Sequence, residues 1–149
     1  MAHVYISAVI AAPIDEVWAV ARDFNGHAEW HPFIAESHIE DGLPSDTVGC
    51  VRNFTLGNGG HLRERLLALS DVDHNFTYSI LESPMPIRDY RASFGLKRIT
   101  EGDHTLVEWS ARFEVAPEDE ARIVEQVGRA TFAAGIAALE TFLKEKRGA

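Results

Sequence analysis

The stretch VGCVRNFTLGNGGHLRERLLA, residues 48–68, decides how this chain folds. Its centre, Gly57-Asn58-Gly59-Gly60, is typical of a β-hairpin turn, because asparagine and glycine accept the positive φ angles of tight turns. On both sides apolar residues recur at every second position, which is the period of a strand with one buried face. We therefore expect two antiparallel strands joined at residues 57–59. The apolar positions on their shared face are Val48, Cys50, Phe54, Leu62, Leu66 and Ala68.

Arg52 and Glu64 interrupt the apolar face of this hairpin. A loop of residues 57–59 sets them directly opposite each other, and the apolar alternation favours that register over one with a two-residue loop. A charge on an inward face is costly unless it is paired. Two interpretations stay open. In one, the pair lies in a cavity, with Glu64 as an acid or base and Arg52 as an anion binder. In the other, the pair is a structural salt bridge or lies on an outward face.

The same alternation predicts strands before and after the hairpin. They cover residues 4–10, 76–80, 90–96 and 107–115. Turns separate them at hairpin distances, which is typical of an antiparallel sheet. After the first strand, Pro13 followed by Asp15 and Glu16 predicts a short helix over 13–23, and residues 27–30 allow one more turn before Pro32.

The segment 117–147 changes to a helical period. Pro117 and three acidic residues open it and basic residues close it, as the helix dipole favours. Gly128 and Gly135 lie on its predicted inner face, which indicates either space kept open for a ligand or close packing on the sheet. The residues of that face are Val124, Val127, Gly128, Thr131, Gly135, Ala138, Leu139 and Phe142.

This order of elements predicts one α+β domain over residues 1–149. It consists of a curved antiparallel sheet of about seven strands around a long C-terminal helix, with two short helices after the first strand. Such a sheet and helix enclose a concave space, which is the usual form of a ligand pocket.

Aromatic residues and histidines supply further candidates for this space. Tyr78 and Tyr90 lie on the inward faces of adjacent strands, where a phenol can reach a ligand or simply fill the core. Trp109 has the same two interpretations. The segment from Trp30 to Phe33 could form a lid or a plug. His27 and His31 do not predict a metal site, because Pro32 follows at once and no third ligand is apparent.

The composition excludes several classes of function. The formal net charge is −9, so the chain repels nucleic acids and anionic membrane surfaces. Its longest apolar stretches are too short to span a membrane. Cys50 is the only cysteine, which leaves no intrachain disulfide, and the N-terminus does not resemble a secretory signal. We therefore expect a cytoplasmic protein; an exposed sheet edge or helix face could support a homodimer.

In their order and spacing, five motifs resemble the START-like, birch-pollen-allergen-like superfamily (SRPBCC), and within it the polyketide cyclase/dehydrase-like proteins. The resemblance covers nearly the whole chain and implies a helix-grip fold with an internal hydrophobic cavity. The motifs are Ala12–Trp18, Trp30-His31-Pro32, Val48–Arg52, Glu64-Arg65-Leu66 and Val107-Glu108-Trp109.

Two positions of these motifs, and a third in Asp89-Tyr90, are also similar to those of plant lachrymatory-factor synthases, members of the same superfamily. Arg52, Glu64 and Tyr90 match the arginine, glutamate and tyrosine of that active site, which transfers a proton without a cofactor. Two departures bear on the cavity mouth: the hairpin loop is shorter here, and the turn Ser83-Pro84-Met85-Pro86 differs. The substrate is therefore not transferred.

The resemblance implies a partner that is a small hydrophobic or amphipathic molecule, with no cofactor and no metal. The chain would be either a cyclase, dehydratase or isomerase using acid–base chemistry or a non-catalytic carrier. The candidate catalytic residues are Glu64, Arg52 and Tyr90. The candidate ligand-binding residues are Trp30, His31, Tyr78, Trp109, Gly128, Thr131 and Gly135.

Overall fold

The computed structural model describes residues 1–148 and contains one sheet of seven strands. The strands are β1 Ala2–Ile10, β2 Ile34–Ile39, β3 Val51–Leu56, β4 His61–Ser70, β5 Asn75–Glu82, β6 Ile87–Ile99 and β7 His104–Val115. The helices are α1 Ile14–Ala21, α2 His27–Trp30, α3 Pro117–Glu125 and α4 Ala134–Gly148, with a π-helical segment Gln126–Ala133 between the last two. The predicted α+β class and its order of elements are confirmed.

The sheet is antiparallel throughout, with strand order β1-β7-β6-β5-β4-β3-β2. Its two edges, β1 and β2, are joined in the chain by α1 and α2, which therefore cross from one edge to the other. No helix in the described part of the chain is both long and apolar enough to cross a membrane.

The hairpin β3–β4 has the predicted register, with Arg52 opposite Glu64. Its outer ends differ from the prediction. Val48 lies before β3 and is exposed rather than inward-facing. Ala68 is exposed because the register shifts between Leu66 and Ala68, and a one-residue bulge turns every following side chain to the opposite face.

Strand β2 occupies a region where the pattern placed no particular strand. Residues 36–38 are polar, and the strand shows no clean alternation of buried and exposed positions. It pairs with β3 through a shift between Ile34 and Glu36. A short polar edge strand of this kind lacks the apolar period from which strands are predicted.

The C-terminal helix is continuous through residues 117–148, but its buried face differs from the predicted one. Of the eight predicted inner positions, four are fully buried: Val127, Gly128, Gly135 and Leu139. The others are only half-buried, and four neighbouring positions take the inner face: Ile123, Phe132, Ile136 and Leu143. For the three positions after residue 126 the cause is the π-helical segment Gln126–Ala133, whose wider turn changes the phase of the helix; Ile123 precedes that segment and is not explained by it.

The helix packs on the concave face of the sheet through aromatic contacts. Phe132 stacks on Trp109 with ring centroids 4.5 Å apart, and the Trp109 ring meets Phe94 edge to face at 5.1 Å. These contacts anchor the π-helical segment over β6 and β7. The remaining concave surface lies under α2 and the first part of the C-terminal helix.

Candidate functional site

A cavity of about 470 Å³ lies between the concave face of the sheet and the π-helical segment, with α2 at its side. This volume is within the range of small-molecule pockets, about 300–1,000 Å³. Among residues 1–148, the charged residues that line it are Arg52 and Glu64. Its aromatic lining residues are Trp30, Phe33, Phe54, Phe76, Tyr78, Tyr90, Phe94 and Trp109.

The Glu64 carboxylate is held by Arg52 through one oxygen. Nε of Arg52 donates to Oε1 of Glu64 over 2.7 Å, and Nη2 lies 2.6 Å from the same oxygen. Both residues are 95% buried. Their places on β3 and β4 bring the two side chains together, since directly opposite residues of paired strands share a face.

The second carboxylate oxygen of Glu64, Oε2, has no hydrogen-bond partner among residues 1–148. It is not one of the fully enclosed polar atoms, so it keeps contact with the cavity that Glu64 lines. Burial raises the pKa of Glu64, and the charge and hydrogen bonds of Arg52 oppose this rise. The arrangement therefore presents one carboxylate oxygen to whatever occupies the cavity.

Arg52 is itself held from several directions. Its Nη1 donates to the carbonyl oxygen of Phe24 over 2.9 Å, and its guanidinium carbon lies 4.0 Å from the Phe24 ring centroid and 4.9 Å from that of Tyr78. Cation–π contacts of this kind stabilise a desolvated guanidinium. Each nitrogen of Arg52 thus has a protein partner, so its contacts suit positioning of Glu64 better than binding of a ligand anion.

Two phenols lie beside this pair. Trp109 donates from Nε1 to the Tyr78 hydroxyl oxygen over 3.0 Å, which leaves the Tyr78 proton available for another acceptor. The rings of Tyr78 and Tyr90 lie 6.3 Å apart, and both residues line the cavity. Burial raises the pKa of each phenol, and the Glu64 carboxylate adds to the effect. Both groups therefore stay protonated; because the Tyr90 hydroxyl also interacts with that of Tyr78, the Tyr78 proton is the one left for a ligand.

His31 ties the segment after α2 to the C-terminal helix. Its Nδ1 accepts from the backbone N–H of Phe33 over 3.3 Å, so its Nε2 carries the proton and donates to the carbonyl oxygen of Thr131 over 2.9 Å. Burial lowers the pKa of His31 and favours this neutral form. Trp30, His31 and Phe33 all line the cavity, so this segment forms part of its wall.

The two glycines of the helix lie off the cavity wall, whereas Thr131 is on it. A Cβ built on Gly135 would lie 3.0 Å from both the His31 and Trp109 rings. One built on Gly128 would meet Val4 at 3.5 Å, which is ordinary contact. The structure supports close packing at Gly135 alone, since Gly128 has room for a methyl group, and neither glycine lines the cavity as the sequence had suggested.

His27 also lines the cavity, although on sequence grounds it was considered only as a possible metal ligand. It is 94% buried and lines the cavity, and neither ring nitrogen has a hydrogen-bond partner in the described chain. Burial and the nearby charge of Arg52 lower its pKa well below the usual range, so the ring is neutral. The Phe24 carbonyl was also missed, because a backbone contact to Arg52 leaves no signal in residue types.

Comparison with known proteins finds similarity over nearly the whole chain. Residues 1–143 match the family described as polyketide cyclase / dehydrase and lipid transport. A Bacillus cereus protein named XoxI is 28% identical, with 99% of each chain covered and a TM-score of 0.87. A Thermobifida fusca protein, known from its solution structure, is 29% identical in sequence. The alignment covers 97% of this chain and 95% of the Thermobifida chain, with a TM-score of 0.86.

A plant enzyme shares the fold at lower identity. A point mutant of Thalictrum flavum norcoclaurine synthase, solved with a transition-state analogue, is 17% identical, with 98% and 96% of the two chains covered and a TM-score of 0.75. This likeness concerns the fold alone. A search of curated protein sequences finds no match.

Proposed function

The chain belongs to the polyketide cyclase / dehydrase and lipid transport family, and from that premise we propose that it binds a small apolar molecule in its cavity and transfers a proton with Glu64. The observation that carries the proposal is the unpartnered Oε2 of Glu64, which keeps contact with an aromatic-lined cavity. A buried carboxylate that is positioned through its other oxygen is suited to act as a general base.

The proposed step needs no cofactor. Glu64 takes a proton from a carbon next to a carbonyl group, the C–H electron pair moves toward the carbonyl oxygen, and a neighbouring phenol hydrogen-bonds the developing oxyanion. Tyr78 and Tyr90 support this role because both are protonated and close to Glu64. Returning the proton to another carbon completes an isomerisation. Loss of a β-hydroxyl group, which takes the proton from Glu64 and leaves as water, completes a dehydration. Attack of the carbanion on a second carbonyl carbon, whose π bond breaks and whose oxygen takes that proton, completes a cyclisation.

Hydrogen exchange at 2-tetralone in D2O tests the proposal without knowledge of the natural substrate. This small bicyclic ketone has acidic C–H groups beside its carbonyl, and NMR follows their replacement by deuterium. We expect the wild-type protein to accelerate exchange and Glu64→Gln to remove at least about a hundredfold of the acceleration, which is typical of losing a general base.

The matched control is Glu36→Gln, which changes an exposed carboxylate on β2 outside the cavity. It should exchange at the wild-type rate. Equal acceleration by wild type and Glu64→Gln would exclude Glu64 as the base, whereas bound 2-tetralone with no acceleration would exclude proton transfer altogether.

A carrier function is the second candidate, and the contacts of Arg52 favour it. Each nitrogen of Arg52 has a protein partner, which is also what a purely structural ion pair requires. Native mass spectrometry of freshly purified protein, followed by extraction of any bound molecule, separates the two functions. Recovery of one compound that stays unchanged on long incubation supports a carrier. A cytoplasmic location, a single domain and a homodimer stay predictions of the sequence.

A further inference from the structure

The short helix α2 carries all three fully enclosed, unpartnered side-chain polar atoms of residues 1–148. They are Nδ1 and Nε2 of His27 and Nε1 of Trp30. Both residues line the cavity, and their spacing of three positions sets them on one face of the helical turn. Buried polar groups almost always have partners, so three orphaned atoms on one turn of a cavity wall need an explanation.

The neighbouring histidine of the same segment shows that these atoms are unusual. His31 uses both ring nitrogens inside the protein, one toward Thr131 and one toward Phe33. His27 uses neither, although it is just as buried. Its ring meets Phe54 edge to face at 4.7 Å, and burial together with the nearby charge of Arg52 lowers its pKa and keeps it neutral. The Asn25 backbone approaches the ring but makes no hydrogen bond of good geometry with it, so the described residues leave both nitrogens without a full partner.

The charge of the cavity limits what that partner is. Trp30 can only donate a hydrogen bond, so the group that meets it has to accept one. Arg52, the one cation among the described lining residues, has a protein contact on each of its nitrogens and its charge is paired with Glu64, whose carboxylate repels anions. An uncharged oxygen, such as that of a ketone or hydroxyl, meets both conditions.

We propose that His27 and Trp30 bind an uncharged oxygen of the ligand, at a position separate from the group that reaches Glu64. The natural ligand is then a neutral molecule with two polar groups: a hydrogen donor directed at Glu64 and an oxygen acceptor directed at α2. This inference rests on the proposed ligand-binding function and specifies the substrate class of the same cavity.

Binding requires the two rings to turn, because their nitrogens do not touch the open volume of the cavity in this structure. A half-turn of the His27 imidazole about its Cβ–Cγ bond exchanges nitrogen and carbon positions without changing the outline of the ring. The helix that carries the two rings is one turn long and ends at Trp30, so no long packed helix has to move with them.

Two probes with one skeleton test the proposal. 6-Hydroxy-1-tetralone has a hydroxyl and a ketone, whereas 5,6,7,8-tetrahydro-2-naphthol has the hydroxyl alone. We expect the wild-type protein to bind the ketone-bearing probe about fivefold more tightly, the gain of roughly one net hydrogen bond. In His27→Phe and Trp30→Phe, which keep an aromatic ring, the ratio of the two dissociation constants should fall to about one.

His3→Phe is the matched control, since His3 is an exposed residue of β1 and should keep the wild-type ratio. NMR of the wild-type protein gives a second measurement that needs no folded variant. The indole N–H signal of Trp30 should move downfield with 6-hydroxy-1-tetralone and not with 5,6,7,8-tetrahydro-2-naphthol.

The outcomes separate this inference from the proposed function. If both probes bind with equal affinity and the Trp30 signal responds to neither, the role of α2 is refuted while ligand binding stands. If neither probe binds and no Trp109 or tyrosine signal changes, the cavity does not take this class of molecule, and both proposals are refuted.

Discussion

Glu64 combines two opposing influences at one residue. Burial makes its charge costly, whereas Arg52 at 2.6–2.7 Å stabilises that charge. Removing one partner of such a buried pair typically costs about 3–5 kcal/mol, because the other charge is left uncompensated. Glu64→Gln also leaves the Arg52 charge uncompensated, but it is a milder change than Arg52→Leu, since glutamine keeps the shape of the side chain and can still accept a hydrogen bond from Arg52.

The raised pKa of Glu64 gives the proposed proton transfer a defined pH dependence. A general base acts only when it is ionised, so activity is lost as the pH falls through its pKa. Because burial raises that pKa above the ordinary glutamate value of 4.5, we expect 2-tetralone exchange to decline at a higher pH than an exposed carboxylate would give. The measurement is the exchange rate at subsaturating 2-tetralone between about pH 4 and 8. An acid limb at or below the ordinary glutamate range would contradict the direction of the shift.

The site residues that could be predicted from the sequence are those whose polar side chains interrupt an apolar strand pattern. Arg52 and Glu64 stood out for that reason, and the hairpin register followed from the turn and the alternation. Two features were not predictable. That Arg52 contacts only one oxygen of Glu64, and that both nitrogens of His27 lack partners, depend on side-chain conformations that residue types do not encode.

Among the elements, the C-terminal helix departs most from its sequence pattern. Its composition and ends predict a helix over 117–147, and the helix is present, but a regular period cannot reveal where a π-helical segment changes the phase. Strand β2 is the other element without a signal, since a polar edge strand lacks alternation. Elements with one strongly apolar face, such as β1 and β7, were predicted with correct inward positions.

The two glycines of this helix provide a matched pair for testing how it packs. Gly128→Ala adds a methyl group at ordinary contact distance from Val4, and alanine favours a helix over glycine by about 1 kcal/mol, so we expect a neutral or stabilising effect. Gly135→Ala adds a methyl group 3.0 Å from the His31 and Trp109 rings. We expect it to lower the free energy of unfolding by about 1–3 kcal/mol, as overpacking does.

The free energies of unfolding of the two variants and of the wild-type protein are measured by urea unfolding. The His31 side chain supplies a second readout, because a methyl group on Gly135 also lies 3.2 Å from its Nε2 and displaces it from Thr131. The His31 ring signals should therefore shift in Gly135→Ala and stay in place in Gly128→Ala. Equal stability of the two variants would refute close packing at Gly135.

For the molecule as a whole, the sheet and helix leave an interior that is apolar, aromatic and without net charge. The chain carries a formal net charge of −9, yet the cavity contains one cation and one anion, and these are paired with each other. The two histidines beside them are neutral because burial lowers their pKa values. A ligand therefore meets a carboxylate oxygen with no cation left to balance a second negative charge.

This arrangement predicts selection of ligands by charge. Two like charges about 4 Å apart repel by about 4 kcal/mol at an effective dielectric constant of about 20, and Arg52 offsets part of that repulsion. We therefore expect 2-naphthol, which is neutral at pH 7, to bind at least about tenfold more tightly than 2-naphthoate, which has the same ring system and a carboxylate. Quenching of Trp30 and Trp109 fluorescence in the cavity wall measures both affinities. Glu64→Gln removes the repelling charge and leaves Arg52 in place. In that variant the preference for 2-naphthol over 2-naphthoate should therefore shrink or reverse, whereas the control Glu36→Gln should bind the two ligands with the wild-type ratio. Tighter binding of 2-naphthoate by the wild-type protein would show that Arg52 is released from Glu64 to bind anions, and would refute the neutral ligand class.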